Sequence, residues 1–108
     1  MSATVGFVVI YRWRLHPGKE QQFQREWEIN TPLFIHQSDA LGSRLHRSED
    51  GTWLAYAQWP DKATWEKSTP LSVRDPDGFN AFMDAIAESY PRQYLTPVSD
   101  FLIHSQIK

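Results

Sequence analysis

Hydrophobic and polar positions alternate along residues 5–15, Val-Gly-Phe-Val-Val-Ile-Tyr-Arg-Trp-Arg-Leu, and the β-branched and aromatic content of that run predicts a strand. Phe7, Val9, Tyr11, Trp13 and Leu15 fall on one side of it, while Val8 and Ile10, followed by Arg12 and Arg14, fall on the other. Both sides are apolar at the start, so both need covering. His16-Pro17-Gly18 breaks the strand, and from Lys19 the spacing becomes helical. Phe23, Trp27 and Asn30 or Thr31 share one side of that helix, and Glu20, Gln21, Gln24, Arg25 and Glu28 share the other. Thr31-Pro32 predicts a kink, or a short second helix over 33–37, because proline is poorly tolerated inside a helix.

Residues 40–48 predict a second strand, Glu49-Asp50-Gly51 a hairpin turn, and 52–59 a third strand antiparallel to the second. On the third strand Trp53, Ala55, Ala57 and Trp59 oppose Leu54, Tyr56 and Gln58, again leaving both faces apolar. Asp61 is placed to cap a short helix through Lys67 that carries Trp65. After a proline-containing loop at 69–75, Asp75-Pro76 opens a second main helix, and Phe79, Phe82, Met83, Ile86 and Tyr90 trace its apolar stripe. Residues 91–97 then connect to a final strand over 98–107, with Phe101, Ile103 and Ile107 alternating against Asp100, Leu102 and His104.

This order predicts an α+β fold of the ferredoxin-like β-α-β-β-α-β kind, with a four-stranded antiparallel sheet and both helices on one face. The helices cannot cover the second face. A large uncovered apolar surface marks a partner or ligand, and a second copy of the same sheet is the economical cover. The expectation is a homodimer with an aromatic-lined pocket.

Composition narrows the function. A chain of 108 residues is one domain, and the absence of cysteine excludes disulfide frameworks, thiolate metal sites and cysteine nucleophiles, which points to a reducing cytoplasm. Eleven Lys and Arg stand against thirteen Asp and Glu, with the signs interleaved, so no nucleic-acid partner is expected. No apolar run approaches the roughly 20 residues of a membrane span, and the first residues lack the pattern of a signal peptide, so no membrane partner is expected either. Aromatic residues make up 14% of the chain, five of them Trp, more than a plain monomeric core needs.

No nucleotide loop, catalytic-serine elbow or zinc-protease signature is present. Asp75-Pro76-Asp77-Gly78 is explained by helix capping rather than by a cation loop. Histidine is the side chain whose ordinary pKa suits base chemistry near neutrality. His16 lies in a turn and His36 at a helix end, where a cation suits the dipole, which leaves His46 and His104 on strands as candidate bases. No pair has the local spacing of a metal site, and no metal is expected. Tyr11 is a candidate because a phenolic hydroxyl on an apolar face needs a partner. Phe7, Val9, Trp13, Trp59 and Trp65 are candidate walls of an aromatic slot, and they read equally as core and dimer interface. Arg12, which follows Ile10 on the same face, is the candidate for binding a carboxylate or quinol oxygen.

Three segments carry a family resemblance: Leu15-His16-Pro17-Gly18-Lys19-Glu20, the hairpin from Leu41 to Gly51, and Gln58-Trp59-Pro60-Asp61-Lys62-Ala63-Thr64-Trp65. Over residues 5–70 the sequence resembles the antibiotic biosynthesis monooxygenase superfamily. The resemblance implies a dimeric α+β barrel. It also implies one of three states: oxidation of electron-rich aromatics such as quinols or anthrones by dioxygen without a cofactor, haem degradation, or no known activity. The haem-degrading branch carries an Asn on the first strand and a Trp after the third. Aligned on Gly18 and Trp59, those positions hold Tyr11 and Ser68, and no histidine between His46 and His104 offers an axial ligand. The expected function is therefore cofactor-independent monooxygenation of a quinol-like or anthrone-like molecule, with Tyr11 and one of His46 or His104 polarising the substrate. The alternative is a catalytically silent small-molecule-binding or stress-response dimer with the same pocket.

Overall fold

β1 (Phe7–Leu15) is the axis of the molecule, with paired strands on both of its edges and aromatic side chains along one face. The computed structural model describes residues 4–68, 70 and 75–103. After β1 come α1 (Glu20–Gln37), β2 (Gly42–Arg47), β3 (Trp53–Trp59), α2 (Lys62–Lys67), α3 (Pro76–Asp84), β4 (Ile86–Ser89) and β5 (Gln93–Leu95). The strands make one antiparallel sheet in the order β2-β3-β1-β4, with β5 on the β4 edge of β1, nearer its start. This is the α+β, ferredoxin-like arrangement, and the sheet stays open within one chain.

Among the described residues, α1, α2 and α3 lie on the face of the odd-numbered β1 residues, because those positions carry the bulk. Leu15, Trp53 and Ala85 pack with Phe23 of α1, joined by Trp13, Leu45, Phe82 and Ile86. Phe7, Val9 and Trp59 form the second half of the core with Tyr11, Phe34, Ala57 and Trp65. Phe23 is fully buried where rings of three elements meet: Trp13 at 5.0 Å, Trp53 at 5.9 Å and Phe82 at 4.6 Å between centroids. Edge-on and stacked pairs of this kind are the packing that ring quadrupoles favour. The opposite face carries Val8, Ile10, Leu54 and Tyr56 together with Arg12, Arg14 and His46, as the strand alternation requires.

Helix signals act where the sequence puts them. Asp61 accepts a hydrogen bond from the Thr64 backbone N–H at 2.7 Å, and Asp75 accepts one from Gly78 at 3.1 Å with Pro76 opening α3. A Cβ at residue 78 would lie 2.2 Å from the Asp75 carboxylate, so this cap requires glycine. Gly51 takes φ +89° in the β2–β3 turn, a conformation that glycine adopts without steric cost. Contrary to the predicted kink or break, α1 runs on through Pro32. Pro32 and Glu28 both lie on the exposed side, so the carbonyl that loses its helical donor is not sealed inside the protein.

The C-terminal third departs from the sequence reading. α3 stops at Asp84 instead of continuing to Tyr90, and Ile86 and Glu88 become strand residues opposite Leu15 and Arg14. The apolar spacing that imitates a helix is overruled by the free edge of β1, which needs a partner for its N–H and C=O groups. The fourth strand position is thus filled by β4 and β5 and not by 98–107. Residues 98–103 form no strand, and 104–107 lie outside the described residues. Val98, Phe101 and Ile103 are 92%, 93% and 94% exposed. No helix among the described residues is long and apolar enough to cross a membrane.

Candidate active site

β4 and β5 are separated by Tyr90, Pro91 and Arg92, and this interruption shapes the site. Trp13 pairs with Ser89 and Ile10 with Gln93, so three residues stand opposite two, Tyr11 and Arg12. Pro91 has no N–H to continue the ladder, and an extra residue in one strand re-aims the side chains around it. Tyr90 and Arg92 reach a cavity of about 710 Å³ between the helix layer and the sheet. That volume lies within the range of roughly 300–1,000 Å³ usual for small-molecule sites. Tyr11, Arg12 and Trp13 supply its sheet wall, Glu26, Trp27 and Asn30 of α1 its helix wall, and Trp65, Phe79 and Met83 further sides.

Tyr11 is the polar centre of the sheet wall. The indole N–H of Trp65 donates to its hydroxyl oxygen at 3.2 Å. Trp13 lies parallel to it with centroids 6.0 Å apart, and the Arg92 guanidinium stands 5.4 Å from its ring centroid. Burial pushes the Tyr11 phenol above its ordinary pKa, outweighing the opposing pull of the Trp65 hydrogen bond and Arg92. Tyr11 is therefore a neutral O–H near pH 7. Because Trp65 already donates to the oxygen, the Tyr11 proton is the one left to offer a ligand.

Arg12 is held at the rim by the β2–β3 turn. Its Nε donates to Thr52 at 3.2 Å, one terminal N–H donates to Asp50 at 3.1 Å, and the guanidinium stacks 4.6 Å over the Tyr90 ring. Thr52 in turn donates to Asp50 through its backbone N–H at 2.9 Å and its hydroxyl at 2.6 Å. These Thr52 bonds, with Arg12 nearby, hold the Asp50 carboxyl at about 2.

The remaining sequence candidates divide by location. Trp13 and Trp65 line the cavity with Tyr11 and Arg12. Phe7, Val9 and Trp59 are buried in the core behind it; the Trp59 Nε1 is enclosed without a hydrogen-bond partner among the described residues. His46 is exposed on β2, two strands from β1, its Nδ1 3.3 Å from the Leu54 carbonyl, and it does not line the cavity. His104 lies outside the described residues. Glu26, Asn30, Tyr90 and Arg92 were not among the candidates. Asn30 left a signal, a polar residue on the apolar stripe of α1, whereas Arg92 left none because its position depends on the interrupted edge. Among the described residues, no three His, Cys, Asp or Glu side chains are grouped to hold a metal.

The pattern of the antibiotic biosynthesis monooxygenase family matches residues 6–71, well over half of the sequence. The chain belongs to that family. Solved structures of similar fold include a protein from Bordetella bronchiseptica, with 18% identity, TM-score 0.74, and coverage of 89% of this chain and all of the other. SnoaB, a cofactor-independent oxygenase from Streptomyces nogalater, shares 14% identity at TM-score 0.70, covering 91% of this chain and 98% of its own. A monooxygenase from the gene ActVA-Orf6 of Streptomyces coelicolor, solved in complex with nanaomycin D, shares 19% identity at TM-score 0.73, covering 93% and 94%. At these identities the likeness is one of fold. No functionally curated protein matches the sequence.

Proposed function

We propose that this member of the antibiotic biosynthesis monooxygenase family oxidises a hydroxylated or keto-aromatic molecule with dioxygen, without a cofactor. One observation carries the reading: a neutral Tyr11 hydroxyl, its oxygen already bonded by Trp65, faces a cavity walled by aromatic rings. Such a reaction requires little of a protein. A flat apolar slot excludes water, and a hydrogen-bond donor favours the substrate anion from which electrons pass to oxygen. Trp13, Trp65 and Phe79 supply the slot, with Phe7, Val9 and Trp59 backing it; Tyr11 supplies a donor, joined by Arg92, while the Arg12 guanidinium is held at the rim by Asp50 and Thr52. For an anthrone, the methylene and dioxygen give a carbonyl and water, which balances without an added reductant. SnoaB, a fold neighbour, is an oxygenase that works without a cofactor. His46 takes no part in this scheme.

The reading includes a homodimer, supported by a sheet face on which no helix of the described residues packs and by the exposed apolar residues at 98–103. The experiment is oxygen uptake by the purified protein with anthrone or menadiol under air. Uptake above background, reduced in Tyr11→Phe, is the expected result. No uptake by either protein, with both still quenched by the ligand in tryptophan fluorescence, would leave a binding protein in its place.

A further inference from the structure

Reaction of an aromatic substrate with dioxygen begins with loss of a proton, so the cavity needs an acceptor as well as a donor. Of the two strand histidines, His46 does not line the cavity and His104 lies outside the described residues. Among the described titratable groups that line it, Tyr11 and Tyr90 are phenols and Arg12 and Arg92 are cations, which leaves the carboxylates of Glu26 and Glu66. Glu66 is exposed on α2, whereas Glu26 is half-buried on the inner side of α1, between Phe23 and Asn30.

We infer that Glu26 is the catalytic base of the proposed oxidation, and that Asn30 is its positioning residue. Asn30 is only 8% exposed, one helical turn after Glu26. Its Nδ2 donates to the Glu26 backbone carbonyl at 2.9 Å and reaches the carboxylate Oε1 at 3.4 Å. α3 closes in from the other side: a Cβ on Gly78 would lie 3.3 Å from that same Nδ2. The Glu26 side chain is thus tethered through one oxygen, and Oε2 has no partner among the described residues. Across the cavity the Tyr11 O–H and the Arg92 guanidinium stand on the sheet side. A carboxylate on one wall and hydrogen-bond donors on the other suit an enolisation, in which a proton leaves one part of the ligand while negative charge grows on an oxygen elsewhere.

For anthrone the step balances as follows. A C–H bond of the methylene breaks and its proton bonds to Glu26 Oε2. The electron pair stays on the ligand, delocalised onto the carbonyl oxygen that Tyr11 hydrogen-bonds. The anion then reacts with dioxygen. The inference rests on the proposed function for its substrate class, but the proton transfer can be read without oxidation.

The test is exchange of the anthrone methylene protons in buffered D2O under nitrogen, followed by proton NMR, with oxygen uptake under air measured alongside. Wild type is expected to accelerate exchange above buffer, and Glu26→Gln to lose that acceleration by about 10²–10⁴-fold. Binding of anthraquinone, read by tryptophan quenching, should stay within about threefold, since Gln keeps the size of Glu. Asn30→Ala should lower the exchange rate less than Glu26→Gln while leaving anthraquinone binding unchanged. Exchange in Glu26→Gln at the wild-type rate, or none by wild type, overturns the assignment. Exchange that depends on Glu26 but without oxygen uptake would overturn the oxidation and keep the base. Uptake indifferent to Glu26→Gln would do the reverse.

Discussion

Trp65 donates its indole N–H to the hydroxyl oxygen of Tyr11, joining the helix after β3 to the middle of β1. The bond fixes the direction in which the phenol can itself donate. Tyr11→Phe is accordingly expected to lower kcat/KM of the proposed oxidation about 10²-fold, the usual loss for one donor to a developing oxyanion. Trp65→Phe leaves the Tyr11 proton in place but free to rotate, so a smaller loss is expected. Steady-state oxygen uptake compares the two.

Burial raises the Tyr11 pKa, so between the ordinary value of 10.0 and its folded value the native chain keeps a proton that the unfolded chain has lost. The preference for the folded, protonated state is complete below pH 10.0 and disappears as pH rises through the folded pKa. Removing the Trp65 donor withdraws a contact that favours the phenolate, so Trp65→Phe should move the Tyr11 titration still higher. Phenolate absorbance followed against pH, with Tyr11→Phe as the reference, checks the sign.

Asp50 shows the opposite linkage. Its carboxyl titrates at about 2 in the folded protein against 3.8 for the free group, chiefly through Thr52, with Arg12 contributing. The stability this confers is present above about pH 3.8 and is lost as pH falls through about 2. Asp50→Asn should therefore lower the Tm at pH 7 and lower it much less near pH 2. Thermal melts at both values decide this, and equal gaps at both would contradict it.

Phe23 is the ring on which the two layers of the larger core cluster meet. Phe23→Ala removes its contacts with Trp13, Trp53 and Phe82 in a fully buried place, at a cost of about 3–5 kcal/mol, readable by urea denaturation.

Phe101 makes no such contribution to its own chain, being 93% exposed. In the proposed homodimer it covers the apolar sheet face of a second copy. Sedimentation at micromolar concentration should give twice the chain mass for wild type and one chain mass for Phe101→Asp, with the Tm of the isolated fold retained. A wild-type monomer would contradict the dimer.

The sequence by itself determined the strands up to Trp59, the capped short helix, the ferredoxin-like topology and the placing of Tyr11 on one face of β1 with Trp13. Each of these follows from local periodicity, turn chemistry or alternation along one strand, signals confined to a few residues. Only the tertiary structure decided where the fourth strand lies. Ile86 and Tyr90 extend an apolar helical spacing, yet the unpaired edge of β1 draws Ile86–Ser89 into the sheet, a long-range demand that no local window contains. The same edge decided the site. Pro91 interrupts the ladder opposite Tyr11, bringing Arg92 to the cavity, and the packing of α1 sets Glu26 in its wall while His46 stays two strands away. Which charged groups share a cavity depends on strand order and on how helices stack, and neither leaves a mark in the residues themselves.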